Sequence, residues 1–146
     1  MARYLLDTNV CVLLLKSHPA VMRCIANVGA ENCFVSEITA AELLFGAVKG
    51  AEKAANPNVV RKGTADFIET LQVLPIRQAL YTYAFEKRRL QLTGQPLDDF
   101  DLLIGATALS YNLTMVTNNT KHFNRFQSLT LEDWTEPSEP FSSSTV

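Results

Sequence analysis

Four oxygen-bearing side chains stand where apolar segments begin or end: Asp7, Glu42, Asp101 and Asn119. The two aspartates and the glutamate carry negative charge at neutral pH. Carboxylates that converge in a cleft repel one another and take up protons unless a cation lies between them. A set of hard oxygen donors without cysteine or histidine suits Mg²⁺ or Mn²⁺ better than zinc. If the fold brings these side chains together, the chemistry they favour is therefore metal-assisted.

Each of these residues also has a purely structural interpretation. Asp7 can form an Asx turn that caps a helix, and Thr39 with Glu42 fits a capping box. Asn119, in an Asn-Asn pair, is typical of a turn. Asp101 is harder to explain in this way, because it is embedded in an almost wholly apolar helical run. His122, beside a phenylalanine, is interpreted as a packed or surface residue.

The elements that would position these side chains alternate between short apolar strands and helices. The strands are expected at 3–6, 33–35, 73–76, 113–116 and 129–131. Helical patterns lie around 10–14 and at 19–28, where Ser17 can provide the cap, and at 36–49, 66–71, 77–92 and 98–111, with a loop or broken helix over 50–63.

This alternation predicts an α/β fold whose central sheet is mainly parallel, with about four or five strands flanked by helices. Ligands of such sheets bind outside the carboxyl ends of the strands. Asp7 and Asn119 follow strands, whereas Glu42 and Asp101 lie near the starts of helices. A parallel sheet would therefore place all four on one edge of the molecule.

Length and composition set further bounds. The 146 residues correspond to one domain, expected over 1–134, and the polar, proline-containing segment 135–146 is expected to be disordered. A net charge of −2 argues against a nucleic-acid binder that relies on a basic surface, but allows one that holds its substrate through a metal. Three cysteines without metal-ligand spacing, no signal peptide and no membrane span indicate a cytoplasmic protein.

Four segments, in this order and spacing, resemble the PIN-domain nucleases and, within them, the VapC toxins of bacterial toxin–antitoxin pairs. The segments are Leu5–Val10, Val35–Ala47, Gly94–Leu97 with Asp101–Ala108, and Val116–Phe123. Each is degenerate by itself. The resemblance extends from Tyr4 to about Trp134.

The resemblance implies which residues form the site. Asp7, Glu42 and Asp101 fall on the metal-site acids of the family. Asn119 stands where many members carry a fourth aspartate, and its neutral amide cannot supply the extra negative charge that would favour a second tightly held metal. Two further polar residues match positions that line the same pocket in the family, Asn9 and Thr117.

The same resemblance implies a single PIN-like domain that hydrolyses RNA, such as tRNA or another structured RNA, with Mg²⁺ or Mn²⁺. It also implies a VapB-like antitoxin as partner and a homodimer. Exposed apolar residues of one helix would suit a partner surface, among them Leu80, Tyr83 and Phe85. Two alternatives stay open: a nuclease acting on DNA with the same acids, and a catalytically silent PIN domain that only binds RNA or protein.

Overall fold

Five short strands form one parallel sheet in the computed structural model, which describes residues 2–136. Their order across the sheet is β3-β2-β1-β4-β5, and each adjacent pair runs parallel. The strands are β1 (Tyr4–Leu6), β2 (Cys33–Ser36), β3 (Val73–Leu74), β4 (Thr114–Val116) and β5 (Leu131–Glu132). The predicted α/β class and parallel sheet are confirmed.

Helices connect the strands, as parallel strands require. They are α1 (Thr8–Leu15), α2 (Pro19–Val28), α3 (Glu37–Ala51), α4 (Pro57–Glu69), α5 (Leu80–Leu92), α6 (Asp99–Ser110) and α7 (Thr120–Phe123). Single 3₁₀ turns precede β2 at Ala30–Asn32 and α5 at Arg77–Ala79. Gly94, with φ of 72°, follows the end of α5 in the left-handed conformation, as its position predicts.

Both faces of the central strand β1 are covered, which explains its uninterrupted apolar sequence. Tyr4 and Leu6 point into a core beneath α1 and α2, whereas Leu5 points into the opposite core, which includes Leu90 and Met115. Trp134 closes the first core by packing on Tyr4, with ring centroids 5.1 Å apart. Burial on both faces fixes β1 in the middle of the sheet.

The order of the strands creates a crevice at the carboxyl ends of β1 and β4. The chain leaves β1 toward β2 on one side, but leaves β4 toward β5 on the other. Neighbouring strands whose connections diverge in this way leave a gap in which open α/β sheets bind their ligands. Asp7 and Thr117 are the first residues beyond these two strands.

The loop or broken helix expected over 50–63 is a broken helix. Helix α3 ends at Ala51 and α4 begins at Pro57, earlier than the helix expected at 66–71, because Asn56 caps α4 through its Oδ1 and Pro57 occupies the first helical position. Two other local predictions are wrong. His18 rather than Ser17 caps α2, since Nδ1 of His18 accepts from the amide of Val21. The helix expected to begin at Arg77 opens with a 3₁₀ turn.

The ends of α3 and the last strand are shifted slightly from expectation. Helix α3 continues through Gly50 to Ala51, and the last strand is Leu131–Glu132. None of the helices in the described range is long and apolar enough to cross a membrane. The tail predicted over 135–146 lies outside the described residues, apart from Thr135 and Glu136.

Candidate active site

Asp7 lies at the mouth of the crevice between β1 and β4. Its backbone amide donates to the carbonyl of Val116 at 2.9 Å, which extends the pairing of the two strands by one residue. Its Oδ1 accepts from the amide of Thr8, and its Oδ2 accepts from the hydroxyl of Thr117 at 2.9 Å. Asp7 is only 5% exposed, so these bonds hold the carboxylate in one orientation.

Glu42 reaches the same edge from the second turn of α3. Its Oε1 accepts a 2.7 Å hydrogen bond from the hydroxyl of Thr8, the residue that follows Asp7. The same hydroxyl lies 3.0 Å from that of Thr39, which is fully buried. Thr8 therefore couples the glutamate on α3 to the start of α1, and the predicted capping box is wrong because Ser36 caps α3 instead.

Asp101 projects from the first turn of α6. Asp98 caps this helix, with Oδ1 accepting from the amides of Phe100 and Asp101. The neighbouring Asp99 turns away and pairs with Lys87 at 2.8 Å. The apolar remainder of α6 packs into the second core, which fixes the position of the helix and presents Asp101 to the crevice.

Asn119 and His122 form the wall of the site that follows β4. The amide of Asn119 donates to Oγ1 of Thr117, and its side-chain nitrogen lies 2.8 Å from Nδ1 of His122. That imidazole nitrogen is 3.8 Å from Oδ2 of Asp101. A continuous line of polar contacts thus runs from Asp7 through Thr117, Asn119 and His122 to Asp101.

The electrostatics of the crevice show that the three acids share one environment. Burial raises the pKa of Asp7, with a smaller contribution from Glu42, while Thr117 and Thr8 oppose the rise. The pKa of Asp101 is raised to about 6, first by burial and then by the charges of Asp98, Asp7 and Glu42. Such mutual repulsion favours either a proton or a cation between the carboxylates.

The donor set fits a hard divalent cation. Asp7, Glu42 and Asp101 offer carboxylate oxygens at one edge of the sheet, and burial of Asp7 disfavours its charge unless a positive partner is present. Across residues 2–136, no three acidic, imidazole or thiol side chains are already gathered into a complete ligand cage. Asp7 and Glu42 hold hydrogen bonds to Thr8 and Thr117 instead, so binding would require side-chain movements.

The structure brings together most of the residues selected from the sequence. Thr117 and Asn119 contact the line of polar groups that joins Asp7 to Asp101. Asn9, by contrast, lies exposed on the next position of α1 and donates no side-chain hydrogen bond within the described range.

Sequence reasoning missed two residues, Thr8 and His122. Thr8 is the first residue of a helix that begins at the end of a strand, which directs it to the same edge as Asp7. His122 follows Asn119 by three positions in a helical turn, so both side chains lie on one face. These two positions in the sequence are the signals from which Thr8 and His122 could have been predicted as site residues.

The amino-acid sequence of the chain is similar to that of a known family. The family model of the PIN domain matches residues 4–129. The tRNA(fMet)-specific endonuclease VapC of Shigella flexneri is 34% identical over 135 residues, covering 92% of this chain and 99% of that protein. Ribonuclease VapC2 of Rickettsia felis is 34% identical over 134 residues, covering 90% and 97%.

Solved structures share the fold. The chain superposes on the DNA-bound VapBC of Salmonella typhimurium with a TM-score of 0.80 and 31% identity, covering 92% of this chain and 99% of that one. VapBC-1 from nontypeable Haemophilus influenzae gives a TM-score of 0.76 and 32% identity, covering 91% and 98%. The shared fold therefore covers more than nine tenths of this chain and nearly all of each of those two chains.

Proposed function

Because this chain belongs to the PIN-domain family and, within it, to the VapC ribonucleases, we propose that it is a metal-dependent endoribonuclease that hydrolyses phosphodiester bonds in RNA. The observation that carries the proposal is the meeting of Asp7, Glu42 and Asp101 at the crevice between β1 and β4. Transfer RNA is the first substrate to test, since the Shigella and Salmonella relatives are named as tRNA(fMet)-specific endonucleases.

Asp7 and Asp101 are the residues that would hold Mg²⁺ or Mn²⁺. Such a cation, when bound, neutralises the scissile phosphate and lowers the pKa of a coordinated water. An acidic protein needs this help, because its net charge of −2 provides no general attraction for RNA. The two aspartates approach from α6 and from the end of β1, so both sides of the crevice contribute.

Glu42 is suited to orient the attacking water and accept its proton. Its Oε1 is occupied by the hydroxyl of Thr8, and Oε2 accepts no hydrogen bond from the described residues. A carboxylate fixed at one oxygen and open at the other can receive a proton in a defined direction. Thr8 acts as the positioning residue for Glu42, as Thr117 does for Asp7.

We also propose that the chain is the toxin of a toxin–antitoxin pair with a VapB-like antitoxin. Helix α3 carries Leu44, Phe45 and Val48 at 44%, 69% and 53% exposure, within the two turns that follow Glu42. An antitoxin that covers these apolar side chains would also obstruct the acids, which links binding to inhibition. The VapBC complexes among the similar structures support this partner.

A separate apolar face on α5 suits a homodimer. Tyr81 and Phe85 are 76% and 64% exposed, and their rings lie 5.1 Å apart. Leu80 and Leu92 extend the face along the helix. The prediction that Tyr83 belongs to an exposed partner surface is wrong, because this side chain is half-buried and its hydroxyl donates a hydrogen bond to Asp99.

Cleavage of a total tRNA pool by the purified chain tests the proposal. We expect cutting with Mg²⁺ or Mn²⁺, no cutting with EDTA, and no cutting by Asp7→Asn or Asp101→Asn. Asp66→Asn, an exposed acid paired with Lys62 on α4, is the matched control and should cut normally. Single-stranded DNA assayed beside the RNA distinguishes a nuclease acting on DNA. A folded protein that binds RNA but neither cuts nor binds metal would establish the silent module instead.

A further inference from the structure

His122 lies next to Asp101 in the crevice that contains the site acids. The family resemblance selects Asn119, three positions earlier, and not His122. It belongs to α7, the short helix after β4, and its side chain is 45% exposed. It is one of only two histidines in the chain. The other, His18, caps α2 and lies away from the crevice.

The contacts of the ring place Nδ1 of His122 beside one of the site acids. This nitrogen lies 2.8 Å from the side-chain nitrogen of Asn119, and in the Nε2–H tautomer of the ring it accepts a hydrogen bond from that amide. The same nitrogen is 3.8 Å from Oδ2 of Asp101. In that tautomer Nδ1 is available as a ligand atom next to a carboxylate oxygen.

The separation of these two atoms is compatible with one shared ion. Two donors that are each about 2.1 Å from a cation lie about 3 Å apart when adjacent and about 4.2 Å apart when opposite. The 3.8 Å between Nδ1 and Oδ2 is about 0.8 Å longer than the adjacent spacing, so the two side chains would have to rotate slightly toward each other to share the ion. A cation would replace the amide N–H of Asn119 as the partner of the ring nitrogen.

We propose that His122 is a ligand of the site cation, supplying an imidazole nitrogen beside the carboxylates of Asp7 and Asp101. This inference rests on the proposed function, because it takes the cation site as given and adds one donor to it. Asn119 then gives up its side-chain contact with the imidazole to the cation, while its own backbone amide stays on Thr117.

A nitrogen donor changes which ions the site prefers. Imidazole suits transition metals, whereas Mg²⁺ favours oxygen ligands and keeps several of its waters. The site should therefore bind Mn²⁺ more tightly than Mg²⁺, and the ratio of the two affinities should depend on His122. His122→Asp would keep a metal ligand at this position but replace nitrogen with oxygen. The ratio of the Mn²⁺ affinity to the Mg²⁺ affinity should therefore fall.

Pulsed EPR of the full chain loaded with Mn²⁺ tests the proposal directly. Strong electron spin echo modulation from ¹⁴N is expected when an imidazole nitrogen is bound to the ion. We expect the modulation in the wild type and its loss in His122→Ala and His122→Asp. The matched control is His18→Asn, which keeps a capping side chain on α2 and should retain the signal. Calorimetric titration should show Mn²⁺ affinity falling at least about tenfold in His122→Ala, with a smaller fall for Mg²⁺.

The outcomes separate this inference from the function on which it rests. Mn²⁺ binding that Asp7→Asn abolishes, together with no ¹⁴N modulation in the wild type, would overturn the role of His122 and leave the acid site intact. Mn²⁺ binding that is indifferent to Asp7→Asn would overturn both. Retained modulation in His122→Ala would also overturn the inference. Circular dichroism spectra matching the wild type would establish that each variant is folded.

Discussion

The hydroxyl of Thr117 donates a 2.9 Å hydrogen bond to Oδ2 of Asp7, although 110 residues separate the two positions in the chain. The bond exists because β1 and β4 are parallel neighbours and end at the same level. It is fully buried, so it orients the carboxylate without competition from water. Much of what the site can do follows from this pairing.

Asp7→Asn should abolish RNA cleavage and leave the fold intact. The amide keeps a carbonyl oxygen for the hydroxyl of Thr117, and it removes a buried charge whose pKa is already raised by burial. We expect a loss of activity of at least about 1,000-fold, because the principal charge that holds the cation is lost. A cleavage assay with a melting curve checks this, and retained activity in a clean preparation would refute the assignment of Asp7.

Thr8→Val should impair catalysis while Thr8→Ser restores it. Valine has the shape of threonine but cannot donate to Oε1 of Glu42, which would then lose its fixed orientation. Loss of such a supporting hydrogen bond costs about 10- to 100-fold in activity or metal affinity. Steady-state kinetics should show the change mainly in kcat. Equal effects of the valine and serine variants would indicate that only packing matters here.

Asp101→Asn should stabilise the metal-free protein at neutral pH. A carboxyl whose pKa is about 6 when folded and about 4 when unfolded favours folding at low pH, and that stability is lost as pH rises through about 6. The amide does not titrate, so its advantage should grow between pH 5 and pH 7.5, to about 1–2 kcal/mol after allowance for solvent screening.

Urea unfolding of both proteins in EDTA, at several pH values, measures that difference. Addition of Mg²⁺ or Mn²⁺ should stabilise the wild type and make it more stable than the variant, because the variant lacks the Asp101 carboxylate as a metal ligand. A difference between the two proteins that does not change with pH would contradict the raised pKa of Asp101.

Phe45→Ser and Phe85→Ser should have separate effects on assembly. The first removes an apolar anchor from α3 and should weaken antitoxin binding by about 2 kcal/mol, roughly 30-fold. The second removes one ring of the aromatic pair on α5 and should shift the chain toward monomer. Light scattering and titration with a VapB-like antitoxin measure both, and each variant is the control for the other. A wild type that stays monomeric at micromolar concentrations would contradict the dimer.

Gly105→Ala should destabilise the protein by about 1–3 kcal/mol through overpacking. A Cβ at this position of α6 would overlap the ring of Phe126, which is buried in the second core. Because α6 also carries Asp101, the metal affinity should fall together with the stability. Gly63→Ala on α4 is the matched control, since a Cβ there meets no atom within 4 Å, and it should be neutral or stabilising. Similar unfolding curves for the two variants would contradict the close contact.

Local sequence patterns were sufficient for most elements and insufficient for some of their ends. Alternation of apolar strands with helical periods predicted the parallel sheet, and Asp98 and Gly94 marked the start of α6 and the end of α5. The break after Gly50 was expected, but the start of α4 was placed at 66 instead of at Pro57, because Pro57 and Gly63 are typical of a loop when helix packing is unknown. In the structure, α4 packs along α3, and that tertiary contact outweighs the weak local propensity.

The sequence by itself determined the fold class, which acidic residues are candidates for the site, and their placement at one edge of the sheet. The end of each strand can be predicted from the local sequence, and parallel pairing brings the ends of neighbouring strands to the same edge of the sheet. Only the tertiary structure decided which side chains complete the site. Thr8 reaches Glu42 across 34 residues, and the ring of His122 approaches Asp101 from the opposite side of the crevice. Hydrogen bonds of this kind depend on the relative positions of whole helices, which no spacing within one segment specifies.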